Sequence, residues 1–364
     1  QGAAMGSVES LNTVWFALIG LLWTGYFVLE GFDFGVGMLA RFLGRDDIER
    51  RVAMNAIGPT WDGNEVWLLV AGGATFAAFP TWYASVFSGF YLALFLILAA
   101  LIVRGVTFEF RSKRPSRRWR ETWDWGLAVG SLIPAILWGV AFVDLLHGVS
   151  LDASGEVTGG FGGLLAPVAL LGGLASLALF LTHGATFLAL KTTGDLSDRA
   201  RRAAMRFGVP AALLVAGTAL WLAADGRSNP GGLPAAVPAL FVAFAVALLL
   251  ASVGFVRRSA YGRAFALTGS AIVALSGAVF SALFPRVVTS SGPGPSLTIW
   301  SAASAHETLL VMTIVAAIFT PFVLAYQGWT YWVFRQRLTR PPSTPEDLAP
   351  RSPSSGPSPT PQTT

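Results

Sequence analysis

Residues 12–40 read NTVWFALIGLLWTGYFVLEGFDFGVGMLA, and this stretch decides the fold class. Its first eighteen residues, Asn12 to Leu29, carry no charge. About 20 helical residues, rising roughly 1.5 Å each, cross a hydrocarbon core about 30 Å thick, so the stretch reads as a membrane span. Its two acidic residues arrive late, in Glu30-Gly31-Phe32-Asp33-Phe34-Gly35-Val36-Gly37. A spacing of three puts both carboxylates on one helical face.

Eight further stretches meet the same standard, near 54–79, 82–108, 123–147, 163–190, 207–224, 234–256, 261–284 and 307–334. Composition agrees: 54% of the 364 residues are apolar and 12% charged, against about 25% charged in soluble domains. A water-soluble enzyme is excluded. The chain has no cysteine, which removes disulfides, thiolate-bound haem, iron-sulfur clusters, cysteine zinc sites and cysteine nucleophiles. Redox chemistry would need an external cofactor. Gln1 to Ser10 lacks the basic region of a cleavable signal, so the first span is expected to be retained.

A formal charge of +5 and a pI near 10 raise the question of nucleic acid, and the positions of the arginines answer it. Arg41 to Arg51, Arg104 to Arg120, Lys191 to Arg206, Arg257 to Arg263 and Arg335 to Arg351 place 23 of the 25 basic residues in alternate loops, on one side. Only Arg227 and Arg286 fall opposite. The positive-inside rule puts the N-terminus outside and the C-terminus in the cytoplasm, with lipid as surroundings and no nucleic-acid partner.

The chain also repeats itself in parallel. Arg50-Arg51-Val52-Ala53-Met54 with Pro59 corresponds, 151 residues later, to Arg201-Arg202-Ala203-Ala204-Met205 with Pro210. More weakly, Glu30-Gly31 matches His183-Gly184. An even offset of four spans preserves orientation. The expected architecture is therefore an all-α integral membrane protein: about nine transmembrane helices, as two parallel-repeated four-helix bundles plus one helix. The expected segments are an N-terminal segment 1–11, a first bundle 12–147, an external loop 148–162, a second bundle 163–284 and an external loop 285–306. A ninth helix with a basic end (307–340) and a disordered Pro/Ser/Thr tail (341–364) complete the chain.

Charges inside spans are the informative ones, since each costs roughly 2.5–3.5 kcal/mol at mid-helix. Span one carries Glu30 and Asp33. Span two carries Asp62 and Glu65, in Trp61-Asp62-Gly63-Asn64-Glu65-Val66-Trp67. The spans run in opposite directions, so both pairs fall in the cytoplasmic half. Gly31 and Gly35, with Gly58 and Gly63, would let the two helices approach closely. Carboxylates gathered at one depth point to proton uptake. Bonding to loop arginines such as Arg41, Arg50 and Arg51, or binding of a hard cation, stays open at this point.

Other motifs carry less. Gly35-Val36-Gly37-Met38-Leu39-Ala40 matches a dinucleotide pattern but ends a membrane helix with no strand before it. His147 and His306 fall near outer span ends, and His183 lies deep in span five. For His183 a hydrogen-bonded packing role is the favoured reading over proton transfer or haem ligation. Most of the 13 tryptophans sit near interfaces as belt anchors, whereas Trp61 and Trp67 do not.

The blocks Glu30 to Met38, Arg41-Phe42-Leu43-Gly44-Arg45, Trp61 to Leu68, Phe87-Ser88-Gly89-Phe90-Tyr91 and Trp123-Asp124-Trp125-Gly126 closely resemble subunit II of the cytochrome bd quinol oxidases. The resemblance runs through all nine spans, more thinly after residue 190, and omits the tail. It implies a subunit of a quinol:dioxygen oxidoreductase in an aerobic respiratory chain, with quinol and dioxygen as substrates of the complex. It further implies that haem b and haem d sit in a partner, subunit I, with no haem ligand, catalytic residue or metal site on this chain. Asp62 and, near the entrance, Glu30 would serve a cytoplasmic proton path, with Asp33, Asn64 and Glu65 as second-rank members. Trp67 would border an oxygen route. A bound quinone and small single-helix subunits belong to some relatives and cannot be placed from sequence. Two other readings fit the residues alone: an ion-coupled secondary transporter and a purely structural subunit.

Overall fold

In the computed structural model, which describes residues 2–226 and 229–339 with side chains from residue 10, helix α1 runs Gly2–Leu43. Helix thus extends through most of the expected N-terminal segment. The tail 341–364, with Arg227, Arg340 and Arg351, lies outside the described residues. Next come α2 (Asp47–Ile57), α3 (Trp61–Ala78), α4 (Pro80–Gly89), α5 (Tyr91–Phe110) and α6 (Arg117–His147). The second half holds α7 (Gly160–Gly163), α8 (Pro167–Lys191), α9 (Gly194–Ala224), α10 (Ala236–Arg257), α11 (Tyr261–Leu283) and α12 (His306–Val333).

Eight of these helices are long and apolar enough to cross a membrane: α1 from Ser10, α5, α6 and α8 to α12 without a gap. The expected second span, 54–79, is not one helix. Pro59 has no N–H to continue the ladder, so α2 ends at Ile57 with Gly58 as its helical cap, and α3 starts afresh at Trp61. The expected third span, 82–108, is likewise split at Phe90 into α4 and α5. The matching block of the repeat behaves differently, because Pro210 lies inside an unbroken α9. The loops 148–162 and 285–306 carry short β-structure. Strand β1 (Arg286–Val288) pairs antiparallel with β2 (Leu297–Thr298), and Val149 bridges to Ser290.

Helix α1 is the hub, packing against α3, α6, α8 and α11, while α8 to α11 pack in sequence and α11 closes back onto α8. The glycine stripe of α1 serves α8, not span two as expected. A side chain on Gly35 would overlap Phe180 O and Gly184, one on Gly184 would overlap the Gly35 backbone, and Gly31 faces the Phe180 ring. Gly58 sees only its own turn, and Gly63 only the Gln327 side chain. Helix α12 lies at the periphery and is pinned at both ends. Trp15 Nε1 donates to Leu309 O at 3.1 Å and to Thr313 Oγ1 at 3.0 Å, while Lys191 Nζ donates to Phe334 O at the other end.

The arginine-rich end carries its own ion-pair network around α2. Arg111, 2% exposed, donates from Nε to Asp124 Oδ1 at 2.6 Å and from Nη2 to Asp47 Oδ1 at 2.8 Å. Arg50 reaches Asp124 Oδ2 at 3.1 Å, and Arg120 reaches Asp47 Oδ2 at 2.8 Å. On its other side α2 is held to α9, where Arg199 Nη2 donates to Glu49 Oε2 at 2.5 Å. This anchoring fixes where α3 begins.

Candidate functional site

Glu30 lies roughly 20 Å along α1 from Leu43, well inside the helix layer. Glu30 and Asp33 are both fully buried, as their shared face predicts. The break at Pro59 lets α3 begin at the same level, which brings its N-terminal end, favourable to negative charge, beside them. Asn64 is buried and Glu65 a quarter exposed, whereas Asp62 lies on the surface of the chain.

The residue that joins these groups is Arg104 on α5. Its side chain is fully buried, and its Nη1 donates to Glu30 Oε1 and, at 3.3 Å, to Glu65 Oε2. Gly130 on α6 permits this position: a side chain there would overlap Ala100 O and Arg104 Cβ. The guanidinium also lies 5.1 Å from the Phe34 ring centroid and 6.0 Å from that of Trp61, which itself stacks on Phe108 at 4.7 Å.

Asp33 is tied to the other side of the cluster. Asn64 Nδ2 donates to Asp33 Oδ2 at 2.7 Å, and Asn64 Oδ1 accepts from Gln327 Nε2 at 2.9 Å and Tyr331 Oη at 2.8 Å. Helix α12 is thereby keyed to the site. Four fully buried polar atoms in the cluster lack a hydrogen-bond partner among the described residues: Glu30 Oε2, Asp33 Oδ1, and Nε and Nη2 of Arg104. Unmatched donors and acceptors this close together are what a short water chain or a moving proton requires. The arrangement can therefore hold and hand on protons between buried and exposed carboxylates.

The expected pairs thus meet in part. Glu30 and Glu65 share Arg104, and Asp33 and Asn64 are bonded, but Asp62 makes no hydrogen bond or ion pair to the other four. Glu30, expected near the entrance, is the enclosed member, and Asp62 the exposed one. The loop arginines considered as partners are engaged elsewhere: Arg50 with Asp124, Arg51 with Asp47, and Arg41 over the Trp125 ring. Sequence reasoning counted Arg104 with the loop cluster although it falls inside the expected third span; a cation within a span was the available signal. Gln327 and Tyr331 gave no such signal, because polar residues near a span end are ordinary. Trp67 packs over Gly25 of α1.

Both ring nitrogens of His183 are occupied, Nδ1 by Thr268 Oγ1 at 2.7 Å and Nε2 by Val28 O at 3.1 Å, and its ring stacks on Phe265. His147 Nδ1 meets Asp225 Oδ2 at 2.7 Å.

Comparison with known proteins places this geometry. Residues 11–334 match the family model for cytochrome bd terminal oxidase subunit II. The cytochrome bd ubiquinol oxidase subunit 2 of Bacillus subtilis (strain 168) is 42% identical over 335 residues, covering 91% of this chain and 98% of that protein. The cytochrome bd-I ubiquinol oxidase subunit 2 of Escherichia coli (strain K12) is 39% identical over 368 residues, covering 91% and 96%. The bd oxidase structure from Geobacillus thermodenitrificans contains a chain of the same fold, with a TM-score of 0.71 at 19% identity over 89% of this chain and 98% of that one.

Proposed function

The chain belongs to the cytochrome bd terminal oxidase subunit II family, and from that premise we propose that it stabilises a haem-bearing subunit I and feeds it protons through Asp62, Glu65, Glu30 and Asp33. As a family member it is a subunit of a membrane quinol oxidase, whose complex contains haem and a partner subunit. We place haem b and haem d on that partner, as the resemblance to the family implies; within this chain both ring nitrogens of His183 are already hydrogen-bonded. The haems would supply the electron transfer and oxygen reduction; the residues here hold and deliver protons.

The observation that carries the proton path is the sharing of Arg104 by Glu30 and Glu65, which links an enclosed carboxylate to one a quarter exposed on the surface of the chain. Asp62 lies one helical turn from Glu65 and is the outermost acceptor. With the arginine-rich side in the cytoplasm, protons enter at Asp62 and Glu65 and move inward to Glu30 and Asp33. Asn64 holds Asp33 in place. Trp67 as the border of an oxygen route, a bound quinone and small single-helix subunits stay expectations from the resemblance.

The test is turnover in the assembled complex. Asp62→Asn and Glu30→Gln keep shape while removing the titratable proton. Each should lower oxygen consumption by roughly a hundredfold, the low end of what a positioned proton-transfer group contributes, with haem spectra intact. Parent rates in both variants would refute the path. Slow turnover accompanied by haem loss would show instead that these carboxylates only pin the fold.

A further inference from the structure

The path described above turns on one fully buried cation, the Arg104 guanidinium. Facing it are Tyr26, Glu30 and Asp33 from α1 and Glu65 from α3. Asp62 stands beyond Glu65, and Tyr331 of α12 reaches the cluster through Asn64. From α6 comes only neutral Trp138, bonded to the Tyr26 hydroxyl at 3.2 Å. Three carboxylates therefore surround a single cation.

If all three were ionised, the cluster would carry two surplus negative charges, two of the carboxylates being wholly out of water. Such an arrangement is strongly disfavoured in a medium of low dielectric. One guanidinium balances one carboxylate, so the remaining two are neutral only with a proton each. Arg104 also divides its contacts unequally, being bonded to Glu30 at the enclosed end and more loosely, at 3.3 Å, to Glu65 at the open end.

We propose that Arg104 is the positioning residue of this site: shared between Glu30 and Glu65, it fixes how many protons the three carboxylates hold and which of them takes the next one. The inference rests on the proton-path reading. With Glu30 ionised against Arg104, Glu65 and Asp33 hold the two protons; once Asp33 has passed its proton on to the partner subunit, the O–H bond at Glu65 breaks as one forms at the unpartnered Asp33 Oδ1, directly or through water. The Glu65 carboxylate so formed is held by Arg104 until water supplies the next proton, which weakens that charge-assisted bond and leaves the guanidinium to Glu30. Arg104 keeps its own protons throughout.

The experiment measures oxygen consumption of the purified complex with a short-chain ubiquinol as a function of pH, with haem content recorded for every variant. Arg104→Gln removes the positive charge, so the carboxylates keep their protons to higher pH. The acid limb of turnover should move up by about one pH unit, a tenfold loss of rate on that limb. Arg104→Lys restores the charge without the bridging geometry, so the limb should return while the maximal rate stays low. Glu65→Gln removes a negative neighbour and should move the limb the opposite way, to lower pH. Limbs that coincide with the parent overturn the proposal. Should Arg104→Gln lose haem, Glu65→Gln decides alone, since it leaves the Arg104 to Glu30 bond in place. Parent rates in Asp62→Asn and Glu30→Gln would instead remove the path itself, whereas slowed turnover there with unmoved limbs would remove only the role of Arg104.

Discussion

Glu30 shows how a single buried charge is tolerated inside a membrane helix. It is enclosed, yet it meets a guanidinium that is equally enclosed, and each makes the other acceptable. Removing one partner should cost far more than changing its chemistry. Glu30→Ala takes from Arg104 its nearer carboxylate, leaving Glu65 at 3.3 Å, and should lower the stability of the complex by up to about 3–5 kcal/mol. Glu30→Gln keeps an acceptor for Arg104 and should cost distinctly less. Thermal unfolding followed by haem release reads both, and equal losses would show that the ion pair does not set stability here. The carboxylate was legible from sequence because an acidic residue in an apolar run is conspicuous. Its partner was not, because Arg104 lies 74 residues away and only the packing of α5 on α6 at Gly130 brings it within reach.

Two elements illustrate what places the site. Helices α1 and α8 cross with backbone against backbone at Gly35 and Gly184. Gly184→Ala should therefore force the helices apart, destabilising by about 1–3 kcal/mol as overpacking does. Gly254→Ala on α10, where an added methyl meets nothing within 4 Å, should be neutral or slightly stabilising by the same unfolding measurement. Helix α2 is held by ion pairs at the arginine-rich end. Burial alone would raise the Asp47 carboxyl, but the hydrogen bond and charge of Arg111, with Arg120 and Arg51 beside it, hold it below the ordinary aspartate value. A lowered folded value means this stabilisation is complete above about pH 4, the unfolded aspartate value, and is lost as pH falls through the folded one. Asp47→Asn should accordingly be less stable than the parent at neutral pH, with the gap closing in acid. A gap that persists unchanged at low pH would assign the loss to packing rather than charge.

The whole chain presents apolar side chains outward along α3, α5, α10 and α12, including Leu69, Phe95, Leu98, Leu240, Phe244, Phe319 and Phe322. Of the membrane-length helices α12 is the least enclosed, with 6% of its apolar window buried against 67% for α8. Apolar surface of this extent has to be covered, by lipid or by another subunit. Produced without its partner, the chain should yield little stable protein, and co-production should restore it. Detergent gel filtration with a folding reporter would show the difference. A monodisperse chain that transports a solute on its own would revive the transporter reading and outweigh the family match.

The sequence by itself determined the membrane class, most of the span positions, the carboxylates of α1 and α3, and the family. Each depends on local composition or on motifs contiguous in the chain, and hydrocarbon thickness turns apolar length directly into a span. Tertiary structure decided the rest. It turned the α1 glycines toward α8, enclosed Glu30 while leaving Asp62 on the surface of the chain, and set Arg104, Gln327 and Tyr331 around the carboxylates. Those outcomes depend on which helix faces meet, and faces are chosen by close backbone approach and by partners for buried charges between residues far apart in the chain, which no local pattern records.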